Sequence, residues 1–254
     1  EDDPEPLVKL VEANVISAER LDRSVRRILR DKFRLGLFDD PYVDADAAAS
    51  ICGNPGFKSA GLQAQRQSIV LLQNEKVDDE TLLPLAARIR VYVDGFSPTV
   101  AAHYATVVPK VEDAEVILVR TQTPWIDQTP GTIGDYFLNA LFHQGDLDFR
   151  PAQRERLVTL AQAKPTVVAL FLDRPAILSD ITNRTAGIVA HFGATDEALL
   201  DVIFGRFDPV GKLPIELPSS MRAVREQKED LPYDSASPLF PFGFGLRYER
   251  SGAD

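Results

Sequence analysis

Five short apolar runs, rich in β-branched residues, recur between residues 68 and 192, and their spacing constrains the fold more than any other feature of the chain. The runs are Ser68–Leu72, Ile89–Val93, Val116–Arg120, Val167–Leu172 and Ile188–Phe192. Val167–Leu172 is apolar at every position, which is typical of a strand covered on both faces. Because helical patterns lie between the runs, the sequence predicts an α/β fold, a three-layer α/β/α sandwich with a mainly parallel sheet.

Two of the intervening helices carry clear start and stop signals. Pro151 suits the first turn of a helix that runs to Ala163, because proline lacks the N–H that a first turn leaves unpaired. Thr195 can cap a second helix, which Gly205 ends. Both helices separate predicted strands, as a parallel sheet requires.

A further helix is predicted from Ser17 to Leu35, where Ser17 can cap the start and Gly36 can end it. Its arginine-rich face is interleaved with acidic residues, so we interpret this face as solvated or as facing another domain. Residues 45–56 are small, polar or turn-forming and suit a surface linker. We therefore divide the chain into residues 1–45, which are helical and linking, and residues 46–254, the α/β domain.

Charge and composition argue against several classes of function. The formal net charge of −10 repels phosphate backbones, so we expect no nucleic-acid partner. No apolar stretch approaches the roughly 20 residues that cross a bilayer, so we expect no membrane partner. The sequence has a single cysteine, Cys52, and three widely spaced histidines, so it lacks the ligand spacing of a metal site. We expect no cofactor. The glycine-rich loops that bind nucleotides and the serine-hydrolase motif are both absent from the sequence.

The longest interval without a predicted helix or strand runs from Thr121 to Phe149, directly after the third apolar run. Loops of this length inside a compact α/β domain are usually functional or disordered. This loop also follows the carboxyl end of a strand, where open sheets bind their ligands. We therefore place the candidate site here.

Four segments carry further recognisable motifs. They are KFRLGLF at residues 32–38 together with the helix before it, QSIVLLQN at 67–74, LDRP at 172–175 leading to GKLPIELP at 211–218, and PFGFGLRY at 241–248. Taken together, in this order and over almost the whole chain, they resemble family 3 glycoside hydrolases of the β-glucosidase type. The chain resembles the C-terminal domain of that family.

This resemblance implies a retaining, exo-acting β-glycosidase, above all a β-glucosidase, that hydrolyses terminal β-linked sugars. In the family an aspartate nucleophile lies on a (β/α) barrel, and the second domain completes the sugar pocket. The chain contains no Ser-Asp-Trp or Lys-His-Phe segment of the kind that the barrel carries, so we expect the isolated chain to be inactive. The implied partners are a carbohydrate substrate and the barrel domain of the same parent protein, and a periplasmic or secreted location is favoured.

The proton donor is less easily placed. In the family it is often a glutamate of the second domain, yet residues 121–149 contain no glutamate. Asp127, Asp135 and Asp146 are the candidates in this loop. Either one of these aspartates takes the acid role, or the loop only binds sugar and the acid comes from elsewhere.

Trp125, His143 and Arg120 are the candidate sugar-binding residues, and each has a structural alternative. Trp125 is a stacking platform or a buried anchor. His143 binds a sugar hydroxyl or shuttles a proton, or it belongs to a turn. Arg120 reaches the pocket or pairs with a neighbouring carboxylate. We interpret Asp173 and Arg174, at the next strand end, as a structural pair.

A non-catalytic alternative stays open for the chain. The domain could act as a carbohydrate-binding or interaction module that performs no chemistry. Sugar binding without hydrolysis would favour this alternative, whereas hydrolysis restored by a barrel domain would favour a divided enzyme.

Overall fold

The computed structural model describes residues 3–126 and 142–248. The chain divides into two compact units, Glu1–Phe57 and Lys58–Asp254. The boundary predicted between residues 45 and 46 falls inside the first unit. Within the described ranges, no helix combines the length and the apolar character needed to cross a membrane.

From residue 3 onward, the first unit contains three complete helices, α1 (Glu5–Glu12), α2 (Ala18–Arg34) and α3 (Ala45–Ile51). The backbone N–H of Arg20 donates to Ser17 Oγ (3.1 Å), which caps α2 as predicted. Gly36 has a φ of +70°, a left-handed conformation that glycine adopts without steric cost, and it follows the end of α2. The helix predicted from Ser17 to Leu35 is confirmed.

Residues 45–56, predicted as a linker, contain α3 and the start of α4 (Pro55–Ser68). Asp44 caps α3, because its carboxylate accepts the backbone N–H groups of Asp46 and Ala47, each at 3.0 Å. The small residues of this segment are largely alanines, which have the highest intrinsic helix propensity. The segment predicted as a surface linker is therefore helical over residues 45–51.

In the described part of the second unit, six strands form the main sheet, in the order β1-β8-β7-β6-β4-β5. They are β1 (Val70–Asn74), β4 (Arg90–Asp94), β5 (Thr106–Val107), β6 (Val116–Gln122), β7 (Thr166–Phe171) and β8 (Gly187–His191). A separate hairpin consists of β2 (Lys76–Val77) and β3 (Glu80–Thr81). In the main sheet β1 pairs antiparallel with β8 and every other neighbouring pair is parallel, so the mainly parallel sheet is confirmed.

The described helices of this unit, after α4, are α5 (Pro98–Ala101), α6 (Pro151–Ala163), α7 (Ser179–Thr182), α8 (Asp196–Ile203) and α9 (Met221–Glu226). Pro151 opens α6 as predicted. Thr195 caps α8, because its Oγ1 accepts the backbone N–H of Ala198 (3.3 Å). Both helices predicted from start and stop signals are confirmed.

Alternate side chains of the central strands enter two separate cores. Leu118 of β6 packs in one core with Leu199 of α8. Ile117, its neighbour in sequence, packs in the other core with Leu157 of α6. Since successive strand residues point to opposite faces, helices cover the sheet on both sides and form the predicted three-layer sandwich.

Two of the motif segments lie against β1. Leu246 forms an isolated antiparallel bridge with Leu71, and its backbone N–H donates to the Leu71 carbonyl (2.8 Å). The N–H of Leu213 donates to the Phe244 carbonyl (2.9 Å). A Cβ on Gly211 would lie 2.4 Å from the Ile69 carbonyl oxygen, so only glycine allows this close approach. The GKLPIELP and PFGFGLRY motifs thus satisfy backbone groups beside β1.

His191, the last residue of β8, is fully buried. Its Nδ1 accepts the backbone N–H groups of Gly193 (3.3 Å) and Ala194 (3.1 Å), so this nitrogen carries no proton. Burial and, to a lesser extent, the positive charge of Arg120 lower the pKa of His191 to about 4, although Asp196 opposes them. The folded state therefore favours the neutral imidazole.

We predict that the chain loses stability as the pH falls from about 6.5, the ordinary histidine value, towards about 4. In this window the unfolded chain binds a proton at His191 that the folded chain does not, and the loss is on the order of 2 to 3 kcal/mol. Urea unfolding at several pH values measures it. His191→Gln should flatten the pH dependence and the exposed control His103→Gln should not; equal slopes in the two variants would contradict the prediction.

A second buried polar cluster joins α4 to α8. Asp201 of α8 is 4% exposed. Its carboxylate accepts the hydroxyl of Tyr104 (2.7 Å) and the Nε–H of Arg66 (2.7 Å). Removing one partner from a buried ion pair leaves the other charge uncompensated, which is strongly destabilising.

Asp201→Ala should therefore lower the free energy of unfolding by about 3 kcal/mol. The matched control is Glu155→Ala, which removes an exposed carboxylate from α6 and should change stability by less than about 0.5 kcal/mol. Fluorescence of the sole tryptophan, Trp125, follows unfolding of this unit in urea. Similar midpoints for the two variants would argue against a stabilising role for Asp201.

Candidate functional site

The carboxyl ends of four parallel strands, β4, β6, β7 and β8, meet at one edge of the sheet. Most polar side chains of the candidate site lie in the segments that follow these strands. Parallel α/β sheets bind ligands at this edge, because both faces of the sheet are covered by helices. The loop selected from the sequence begins here, after β6.

Arg120 of β6 is held at this edge by the N-terminal end of α8. Its guanidinium forms an ion pair with Asp196 and donates to the Ala194 carbonyl (2.7 Å). Asp196 also accepts the backbone N–H of Ser97 (2.7 Å). Gly95, with a φ of +82°, lets the chain after β4 approach Arg120, because a Cβ there would lie 2.4 Å from the Arg120 carbonyl oxygen. Arg120 therefore pairs with a carboxylate, and its side chain keeps 28% exposure.

Asp173, two residues beyond β7, connects two loops. One carboxylate oxygen accepts the hydroxyl of Thr123, which follows β6. The other oxygen contacts Nδ1 of His143. Since β6 and β7 are neighbours, their carboxyl ends bring Thr123 and Asp173 together although fifty residues separate them in sequence.

These contacts control the charge of Asp173. Burial alone would raise the pKa of its carboxyl group, but the hydrogen bonds from Thr123 and His143, together with the charge of His143, outweigh burial and lower the pKa below its ordinary value. Asp173 is thus ionised at neutral pH and provides a fixed negative charge beside the imidazole.

Trp125 stacks on the same imidazole. The ring centroids of Trp125 and His143 are 4.5 Å apart and the planes differ by 11°. Arg150 donates to the Trp125 carbonyl. The backbone N–H of Ile126 donates to the Gln144 carbonyl (2.8 Å), which ties the two ends of the loop together. One face of the half-buried indole is therefore occupied by His143.

Arg174 and Gly145 reinforce this arrangement. Arg174 donates to the Gly145 carbonyl, which fixes the segment beside His143 to the end of β7. Gly145 has a φ of +96°, and a Cβ there would come within 2.4 Å of the Ile126 side chain. The predicted pair of Asp173 and Arg174 is wrong: Asp173 pairs with Thr123 and His143, whereas Arg174 binds a backbone carbonyl.

The aspartates proposed as acids differ in position. Asp127 and Asp135 lie outside the described residues. Asp146 has an exposed carboxylate 3.8 Å from the guanidinium of Arg225. Nearby, burial and the charges of Asp146 and Asp180 raise the pKa of Asp148, against the opposing charge of Arg225.

The site assembled around Asp173 was only partly predictable. Trp125, His143 and Arg120 all lie at the carboxyl edge or in the loop attached to it, but Thr123 and the role of Asp173 were missed. An aspartate directly after a buried strand was the available signal. Among residues 3–126 and 142–248, no group of three or more His, Cys, Asp or Glu side chains is arranged to hold a metal ion.

Comparison with known proteins identifies the family. The profile of the glycosyl hydrolase family 3 C-terminal domain matches residues 99–248. Beta-glucosidase C of Emericella nidulans is 42% identical over 253 residues, which cover 98% of this chain and 39% of that protein. The periplasmic beta-glucosidase/beta-xylosidase of Dickeya chrysanthemi is also 42% identical, over 94% of this chain and 36% of its own length.

Solved structures agree on the fold. The crystal structure of beta-glucosidase from Listeria innocua in complex with gluconolactone superposes with a TM-score of 0.66 and 20% sequence identity, covering 95% of this chain and 40% of that one. The chain thus spans about two fifths of the length of the relatives it matches. On the profile match and these relatives, the chain belongs to glycosyl hydrolase family 3 and contains its C-terminal domain.

Proposed function

We propose that this chain is the C-terminal part of a retaining, exo-acting β-glycosidase, above all a β-glucosidase, and that the carboxyl edge of its sheet completes the sugar pocket. The observation that carries the proposal is the 42% identity to Beta-glucosidase C along 98% of the chain. The cluster of Trp125, His143 and Asp173 at the ligand-binding edge of the sheet supports it.

Retaining hydrolysis needs a carboxylate nucleophile and a proton-donating acid. Where the acid is also a carboxyl group, the two groups lie roughly 5 Å apart. The motifs that carry the nucleophile in this family are missing from the sequence. We therefore assign the aspartate nucleophile to a barrel domain in the parent protein, with this chain lining the opposite side of the pocket. The isolated chain binds the sugar incompletely and does not hydrolyse it.

The first unit supports a barrel partner. Its helix α2 has an apolar stripe that includes Val25 (43% exposed), Ile28 (59%) and Leu29 (39%). Within the described part of this unit no residue is fully buried, so the stripe has no core of its own. An apolar helix face of this kind is stabilised by packing on another surface, and the barrel is the partner that the family resemblance supplies.

Aryl β-glucoside hydrolysis tests the proposal. The isolated 254-residue chain should show no activity above background, and mixing it with the separately produced N-terminal portion of its parent protein should restore hydrolysis, because the nucleophile and pocket are then reunited. Activity of the chain alone would contradict the missing nucleophile. Sugar binding without hydrolysis, in a mixture that forms a stable complex, would favour the non-catalytic binding module.

Replacing Trp125 tests the indole as a sugar-stacking platform. In the complete enzyme, Trp125→Ala should raise KM about fivefold to tenfold, since an aromatic stacking contact contributes about 1 kcal/mol beyond its burial. Trp125→Phe keeps an aromatic face and should retain most of the affinity. An unchanged KM in Trp125→Ala would remove this side chain from the pocket.

A further inference from the structure

The imidazole of His143 has two unlike nitrogens. Nδ1 contacts the carboxylate of Asp173. For Nε2 the described residues provide no hydrogen-bond partner, and the side chain of His143 is 30% exposed. A carboxylate beside Nδ1 accepts a hydrogen bond from Nδ1–H whether the ring is neutral or charged, so Nε2 is the atom that can gain or release a proton.

Both groups that contact the ring interact favourably with its charged form. Asp173 is an ionised carboxylate, held so by hydrogen bonds from Thr123 and His143. Trp125 lies parallel to the ring at 4.5 Å, and the face of an indole attracts cations. The same two contacts also fix the plane of the imidazole, which limits where Nε2 can point.

Two arginines near the ring bind backbone carbonyl groups. The guanidinium of Arg174 donates to the Gly145 carbonyl, and that of Arg150 donates to the Trp125 carbonyl. Both bonds hold the backbone on either side of the ring. Asp146 is the aspartate predicted as a candidate acid that lies among the described residues. Its exposed carboxylate is beside Arg225.

We propose that His143 is the general acid and base of the glycosidase, with Asp173 as the residue that positions it; this rests on the proposed function. In the first step Nε2–H of the imidazolium gives its proton to the glycosidic oxygen while the bond from the anomeric carbon to that oxygen breaks, and its electron pair stays on the departing alcohol. The anomeric carbon bonds to the barrel carboxylate. In the second step the neutral Nε2 takes a proton from water, whose oxygen displaces the carboxylate, and the imidazolium is regenerated.

This assignment accounts for a departure from the family pattern. The loop carries no glutamate, yet a hydrolase of this class needs a proton donor opposite its nucleophile. A histidine held by an aspartate meets that need from two elements of this domain, the loop before α6 and the segment after β7. The loop therefore contributes chemistry as well as sugar binding.

Leaving-group dependence in the complete enzyme tests the proposal. Phenyl β-glucoside needs protonation of its leaving oxygen, whereas dinitrophenyl β-glucoside, with an acidic leaving group, does not. We expect His143→Ala to lower kcat/KM for the phenyl substrate about 100-fold or more, and for the dinitrophenyl substrate by less than about fivefold. Asp173→Asn should show the same selectivity with a smaller loss, because the amide oxygen still accepts from Nδ1–H.

The controls separate chemistry from folding. His103→Ala removes an exposed histidine and should leave both substrates unaffected. Thermal unfolding checks each variant, and His143→Gln, which keeps more of the side-chain volume, serves if the alanine variant does not fold. Added imidazole should restore phenyl β-glucoside hydrolysis to a folded His143→Gly enzyme.

Other outcomes overturn the proposal. Equal losses for both substrates in the folded His143 variants would make the contact with Asp173 purely structural. The same leaving-group selectivity in Asp127→Asn, Asp135→Asn or Asp146→Asn, with none in the His143 variants, would assign the proton to an aspartate. If the unaltered complete enzyme hydrolysed neither β-glucoside, the proposed function itself would fail. An active enzyme whose activity does not change in the His143 variants would contradict only the role of His143.

Discussion

Helices on both faces of one parallel sheet impose the constraint on which the rest of this structure depends. Ile117 and Leu118 are adjacent in β6 and both fully buried, each in a different core. No sheet face is left to meet solvent in the middle of these strands. Polar chemistry is therefore confined to the strand ends, and the carboxyl edge collects the loops after β6 and β7.

At that edge the carboxylate of Asp173 links the parts of the candidate site. Asp173 bonds to Thr123 on one side and His143 on the other, and His143 in turn supports Trp125. The polar groups come from two strand ends and a long loop, so none is placed by its own element alone. Side chains arranged in this way are preorganised by hydrogen bonds and ring stacking, because each is held by a neighbour that is itself held.

Local signals in the sequence predicted much of the fold. The cap at Ser17, the proline at residue 151 and the cap at Thr195 each start a helix where expected, and the strand bounds differ by no more than two residues. The alanine-rich residues 45–49, expected in a surface linker, are helical, because small side chains suit both helices and connections. The sugar-binding roles of Trp125, His143 and Arg120 stay a prediction, and Asp173 contacts Thr123 and His143 instead of its sequence neighbour Arg174.

By itself, the sequence determined the layered α/β class, the helix ends and the family, because these depend on short-range patterns of apolarity, capping and motif. Only the tertiary structure decided that β1 runs antiparallel beside β8, that Arg120 pairs with Asp196, and that Asp173 meets His143. The physical reason is the strand order. Placing β7 next to β6 brings residues thirty and fifty positions apart within hydrogen-bonding distance, and no local preference encodes that neighbourhood.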